Sequence, residues 1–237
     1  MSMTPLKMQG RLLLHNIISK IREYEATYQR SPHAVSLLAS SKGQSVDKMR
    51  ATYLQGQRAF GENYVQEALE KMQALSDCEI EWHFIGAIQS NKTKKIAEHF
   101  SVVQSVSSEK IAQRLNDQRP LSMPPLNICI EVNIDHETTK QGVFQDELFA
   151  LLKYCCELSH LTLRGLMCIP AIQHDFNSQC AAFHAMAELW RASKQYLGDQ
   201  AKQFDTLSMG MSADFEAAIK EGSTMVRIGT ALFGERQ

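Results

Sequence analysis

Short apolar runs alternate with helical patterns eight times along the chain, and that rhythm constrains the fold more than any other feature. Strand-like runs are read at 35–41, 58–60, 81–85, 101–105, 126–132, 161–167, 206–208 and 225–228. Apolar residues at helical spacing follow each of them, at 46–55, 64–75, 91–98, 108–117, 144–157, 177–197 and 213–220, with a terminal turn at 230–233. Ahead of the first strand, 7–28 carries Leu12, Leu13, Ile17, Ile18, Ile21 and Tyr24 on one face, an extra N-terminal amphipathic helix. Strands joined through helices run parallel with right-handed crossovers. Eight such units in 237 residues predict one α/β domain over 1–237, a single (β/α)8 TIM-type barrel. An open doubly wound sheet is the alternative, because the second and seventh strands are short; no G-x-G-x-x-G follows the first strand to support it. The proline-bearing stretch 119–125 reads as a loop, since the rhythm resumes at once.

Composition narrows the partners. A formal net charge of −1 with no basic stripe argues against nucleic acid, and Lys92, Lys94 and Lys95 read as a solvated helix face. No run approaches the ~20 apolar residues of a membrane span, and no leader precedes the first helix, which points to the cytoplasm. The six cysteines form no C-x-x-C pair and read as reduced thiols; the eight histidines form no H-x-x-x-H pair, so no metal site is expected.

In a barrel of this kind, functional groups collect where strands end. Lys42 ends the apolar run 35–41, where partial burial disfavours an ammonium and leaves an amine able to form a Schiff base with an aldehyde; the plain alternative is a lysine reaching water. Gly229 and Thr230 lie between the last strand and a short helix, where N–H groups and a hydroxyl suit a phosphate. Ser212 reads as the N-cap of the helix over 213–220, with its hydroxyl near the same anion. Arg227 lies on a strand expected to be buried on both faces, so it either pairs with a carboxylate such as Glu131 or donates to a ligand. An aldehyde-reactive lysine, a phosphate cradle and a ring-nitrogen donor together describe a pyridoxal 5′-phosphate site.

LLASSK (37–42), FGENYVQE (60–67), WHFIGAIQSNK (82–92), EVNIDHETTKQG (131–142), RGLMCIP (164–170) and the stretch 207–235 resemble, in that order, the pyridoxal phosphate homeostasis proteins, relatives of the barrel domain of alanine racemase. The resemblance implies that Lys42 carries the cofactor as an internal aldimine and that Arg227 faces the pyridine nitrogen. It also implies that Ser212, Gly229 and Thr230 hold the phosphate and that Asn63 makes a further contact. The chain departs from the family at Gly43-Gln44-Ser45, where a proline is usual, and at Gly86-Ala87-Ile88-Gln89 in place of Gly-Pro-Leu-Gln. Both departures are expected to lose loop rigidity.

Bound pyridoxal phosphate does not by itself make an enzyme. A permanent cation at the pyridine nitrogen disfavours the protonated ring that serves as an electron sink. Racemases with this arginine add a tyrosine from a second domain of the partner subunit. This chain ends at Gln237, straight after the eighth unit, and none of its six tyrosines falls at a predicted strand C-terminus. The expectation is therefore a non-catalytic, monomeric, intracellular carrier that sequesters the cofactor and supplies it to pyridoxal-dependent enzymes, with a role taken from the resemblance. The rivals are a weak amino-acid racemase and a sugar-phosphate barrel enzyme using Lys42 with Glu131 as acid or base. Lys140 reads as a solvated loop lysine, with a secondary aldehyde site as the alternative.

Overall fold

The computed structural model describes residues 5–135, 137 and 140–234, with side chains from residue 13 onward. His136, Thr138, Thr139 and Glu235, quoted in the strings above, lie outside the described residues, as do the side chain of Leu12 and both ends of the expected 1–237 domain. The strands are β1 (Ser36–Ser40), β2 (Ala59–Glu62), β3 (Glu81–Phe84), β4 (Val102–Val106), β5 (Leu126–Val132), β6 (Leu161–Cys168), β7 (Thr206–Ser208) and β8 (Met225–Ile228). They close in sequence order into a parallel barrel, with β8 pairing back onto β1. The open-sheet alternative is thereby set aside.

Around the barrel stand α1 (Pro5–Thr27), α2 (Val46–Tyr53), α3 (Val65–Ala74), α4 (Thr93–His99), α5 (Glu109–Gln118), α6 (Gln145–Cys156), α7 (Phe176–Leu197), α8 (Phe215–Lys220) and the single turn α9 (Thr230–Phe233). Ser45, Ser108 and Asp175 cap α2, α5 and α7 through their side chains. The extra helix α1 buries Leu14, Ile17 and Ile21. Arg30, just beyond it, donates to the carbonyls of Ile219 and Ser223 and ties the start of the chain to the end of α8. None of the helices among the described residues is long and apolar enough to cross a membrane.

Two boundary shifts bear on the cavity. β2 runs on through Gly61 and Glu62, because both hold register with His83 and Phe84 although neither residue type favours a strand. α8 begins at Phe215, two residues late, because the Asp214 carboxylate accepts from the Met211 N–H at 2.6 Å and folds 211–214 into a turn. A 3-10 helix over Gly198–Gln203, absent from the sequence reading, joins α7 to β7.

Strand register sorts the side chains into two layers. Leu37, Ala39, Phe60, Trp82, Phe84, Ile128, Ile130, Leu166, Val226 and Ile228 face the helices and form one apolar cluster with residues such as Met49, Ala68, Ile96 and Leu148. The alternate positions point into the lumen: Leu38 pairs with Arg227, Ser40 with Gly61, Gly61 with His83, Glu131 with Met167 and Met167 with Ser208. Barrels of this class usually fill that space with branched aliphatics. Here much of it is polar, with His83, Gln104, Glu131, Ser208 and Arg227 all buried.

Candidate functional site

Lys42 follows β1 by two residues and stands half-buried at the lumen mouth. Its neighbours hold it from both sides. The buried Ser41 donates its N–H to the Gly61 carbonyl at 2.9 Å and its hydroxyl to Glu62 Oε1 at 2.6 Å. On the other side, the Gly43 N–H donates to Glu67 Oε1 at 2.6 Å. Gly43 sits at φ +68°, a conformation that glycine adopts without cost. Gln44 is buried and accepts from Lys48 Nζ, which also reaches the Phe233 carbonyl. Hydrogen bonds thus pin the loop, which offsets the loss of rigidity expected at 43–45.

Arg227 is 4 % exposed, and main-chain carbonyls and a hydroxyl hold it rather than a carboxylate. Its Nη1 donates to the Ser208 carbonyl and hydroxyl, each at 2.8 Å, and its Nη2 donates to the Cys168 carbonyl at 2.8 Å. No carboxylate pairs with it among the described residues; Glu131 is near enough only for a longer-range attraction. Burial pushes the Glu131 carboxyl up to about 7, with Arg227 pulling against that shift.

Ser212 is a correction. It does not cap α8, whose flanking residue is Asp214; its hydroxyl accepts instead from the Ala231 N–H of α9 at 3.4 Å. The reason is the 211–214 turn, which swings Ser212 from α8 towards α9 and so beside Gly229 and Thr230. Asn63 comes just after β2, its Oδ1 buried with no hydrogen-bond partner. Its backbone lies so close to Gly86 that a Cβ there would collide with the Asn63 carbonyl.

All six sequence-read positions line one cavity of about 240 Å³: Lys42, Asn63, Ser212, Arg227, Gly229 and Thr230. Ser40, Gln44, Ile85, Ile169, Met211 and Ala213 complete the lining and were missed. Ser40 was within reach of the sequence, since a strand residue two before Lys42 shares its face. Lys140 stands apart, its ammonium 3.1 Å from both Asp135 and Glu137. Burial lowers its pKa, but those carboxylates outweigh burial and the net shift is upward, which disfavours a reactive amine. Tyr64, brought nearer a strand end by the longer β2, is 66 % exposed and does not line the cavity. All six cysteines are free, and no three potential metal ligands cluster among the described residues.

Residues 14–237 match the model of the alanine racemase N-terminal domain. The chain is 51% identical over 227 residues to the pyridoxal phosphate homeostasis protein of Vibrio alginolyticus, covering 94% of this chain and 96% of that one. The chain belongs to the pyridoxal phosphate homeostasis protein family. This family member is also similar to PipY of Synechococcus elongatus, whose structure has PLP bound, with 35% identity and a TM-score of 0.77 over 90% of this chain and all of that one. Alanine racemase of Corynebacterium glutamicum shares the fold, at 14% identity and a TM-score of 0.69; the match covers 61% of the racemase.

Proposed function

We propose that this chain binds pyridoxal 5′-phosphate in the Lys42 cavity and acts in intracellular homeostasis of that cofactor rather than as an enzyme. The observation that carries the reading is the convergence of Lys42, Arg227 and the Ser212–Gly229–Thr230 cluster on one cavity in a member of this family. The residues present suit the group: the unpartnered Asn63 oxygen and the largely satisfied Arg227 leave a polar but preformed pocket. Bound pyridoxal 5′-phosphate supplies an aldehyde, a pyridine nitrogen and a phosphate.

Lys42 offers the amine, and the Ser41 and Gly43 anchors hold it in place. Ser212 and Thr230 offer hydroxyls, and Gly229 lets the backbone approach the phosphate without a side chain. Arg227 brings a positive charge to the pocket; beside the ring nitrogen of a bound cofactor it would disfavour protonation there and give little support to carbanion chemistry. Residues 1–237 act here as a single cofactor-binding domain, monomeric, cytoplasmic, and handing the cofactor to pyridoxal-dependent enzymes. Titration with pyridoxal 5′-phosphate tests the reading: the parent should gain a visible band that Lys42→Ala lacks. A protein that stays colourless overturns it.

A further inference from the structure

Four of the polar residues that replace aliphatics in the lumen, His83, Gln104, Ser208 and Arg227, belong to one continuous chain of hydrogen bonds. It starts at Arg227 on the cavity floor and ends at Glu81, the first residue of β3, whose side chain is 55% exposed at the opposite end of the barrel. Arg227 Nη1 donates to Ser208 Oγ at 2.8 Å, and the Ser208 hydroxyl donates to Gln104 Oε1 at 2.7 Å. Gln104 Nε2 is 2.9 Å from His83 Nδ1, and His83 Nε2 is 2.5 Å from Glu81 Oε1.

The direction of every link is fixed by what the ends permit. A guanidinium only donates, so Ser208 must turn a lone pair towards Arg227 and spend its one proton elsewhere. That proton meets the Gln104 oxygen. The Gln104 amide is held in this orientation from its other end, where Nε2 faces two acceptors, His83 Nδ1 and Met225 Sδ at 3.1 Å. With Nδ1 accepting, the neutral His83 ring carries its proton on Nε2 and gives it to Glu81. The carboxylate is the only pure acceptor in the series, as the guanidinium is the only pure donor. The His83 bond holds the Glu81 carboxyl below the usual range, keeping that terminus charged.

We infer that Glu81, His83, Gln104 and Ser208 are a positioning relay that fixes the orientation of Arg227 in the cofactor cavity from the far end of the barrel. The relay accounts for a buried cation with no ion-pair partner among the described residues: aligned dipoles link it to a carboxylate that stays in water. Isolated buried charges are costly, and oriented dipoles in a dry interior offset that cost strongly. The inference rests on the reading of the cavity as a pyridoxal phosphate site only for its effect on that cofactor; the relay itself consists of contacts within the chain.

Two measurements test it. In the loaded protein, Ser208→Ala and Gln104→Leu should each shift the visible band of the cofactor and speed its release roughly three- to tenfold, the size of one typical net hydrogen bond. The double variant should go no further than either single, because both cut the same chain. Additive effects, or a Gln104→Leu protein with the parent band and release rate, overturn the relay. In the unloaded protein, the side-chain 15N signals of His83 should report a ring protonated at Nε2 and should move on Ser208→Ala, two links away. A His83 signal indifferent to Ser208→Ala overturns the relay whether or not the parent takes up cofactor. A colourless parent whose His83 does respond keeps the relay and overturns only the reading of the cavity.

Discussion

Lys71 Nζ donates to the backbone carbonyl of Ser41 at 2.7 Å, so a lysine on α3 holds the residue immediately before Lys42. The same ammonium lies 2.8 Å from Glu62 Oε1 and 2.7 Å from Glu67 Oε1. Glu67 in turn takes the Gly43 N–H, the residue immediately after Lys42. One buried cation therefore grips both flanks of the cofactor lysine. Lys71→Met strands the Glu62 carboxylate, which is fully buried, and should cost about 3–5 kcal/mol of stability, read by urea unfolding at pH 7. Adding Glu62→Gln should recover part of that loss. An unfolding midpoint unchanged by Lys71→Met contradicts the clamp.

Glu131 gives the chain a pH dependence with a defined sign. Its carboxyl titrates near 7 in the fold against 4.5 in a free chain, so the folded state binds the extra proton between those values. The associated stability is complete below about 4.5, declines as pH rises towards 7 and is absent above it. Glu131→Gln, which mimics the protonated acid, should leave stability at pH 4 near the parent and raise it by about 3 kcal/mol at pH 8. Parallel stability curves for the two proteins between pH 4 and 8 contradict this.

Gly86 marks where β3 hands over to the cavity wall. A Cβ at that position meets the carbonyl, Cα and carbonyl carbon of Asn63, all backbone atoms with no freedom to rotate aside. The Gly86 carbonyl is itself held by the Ser105 hydroxyl at 2.6 Å, so the glycine has little room to retreat. Gly86→Ala should push Asn63 out of line and weaken cofactor binding at least tenfold by titration, alongside a destabilisation of about 1–3 kcal/mol. Parent-like affinity in a folded Gly86→Ala protein contradicts the role given to Asn63.

The barrel is legible because eight changes of hydrophobic period survive the loss of all tertiary context, and strand ends then locate Lys42, Arg227, Gly229 and Thr230, while Asn63 comes from the family resemblance. The rest depended on features that period does not carry. Gly61 and Glu62 lack strand propensity, so the sequence pattern ends the second strand at Phe60; the register with β3 overrides them, and only then does Glu62 meet Lys71 of α3. Lys71 itself, a helical lysine, reads as solvated in any sequence. His83 and Gln104 are buried polar residues inside strands, and the bond between them joins β3 to β4, out of sight until the strands pair. Ser212 was placed in the cavity but by the wrong device, because one Asp214 hydrogen bond shifts the start of α8.

The central claim is that Lys42 holds pyridoxal 5′-phosphate, and borohydride reduction of the loaded protein followed by peptide mass mapping tests it most directly. One reduced pyridoxyl group per chain, confined to the peptide bearing Lys42 and absent from Lys42→Ala, is the predicted result. Label spread over Lys71, Lys140 or surface lysines, or a Lys42→Ala protein labelled as fully as the parent, would contradict it.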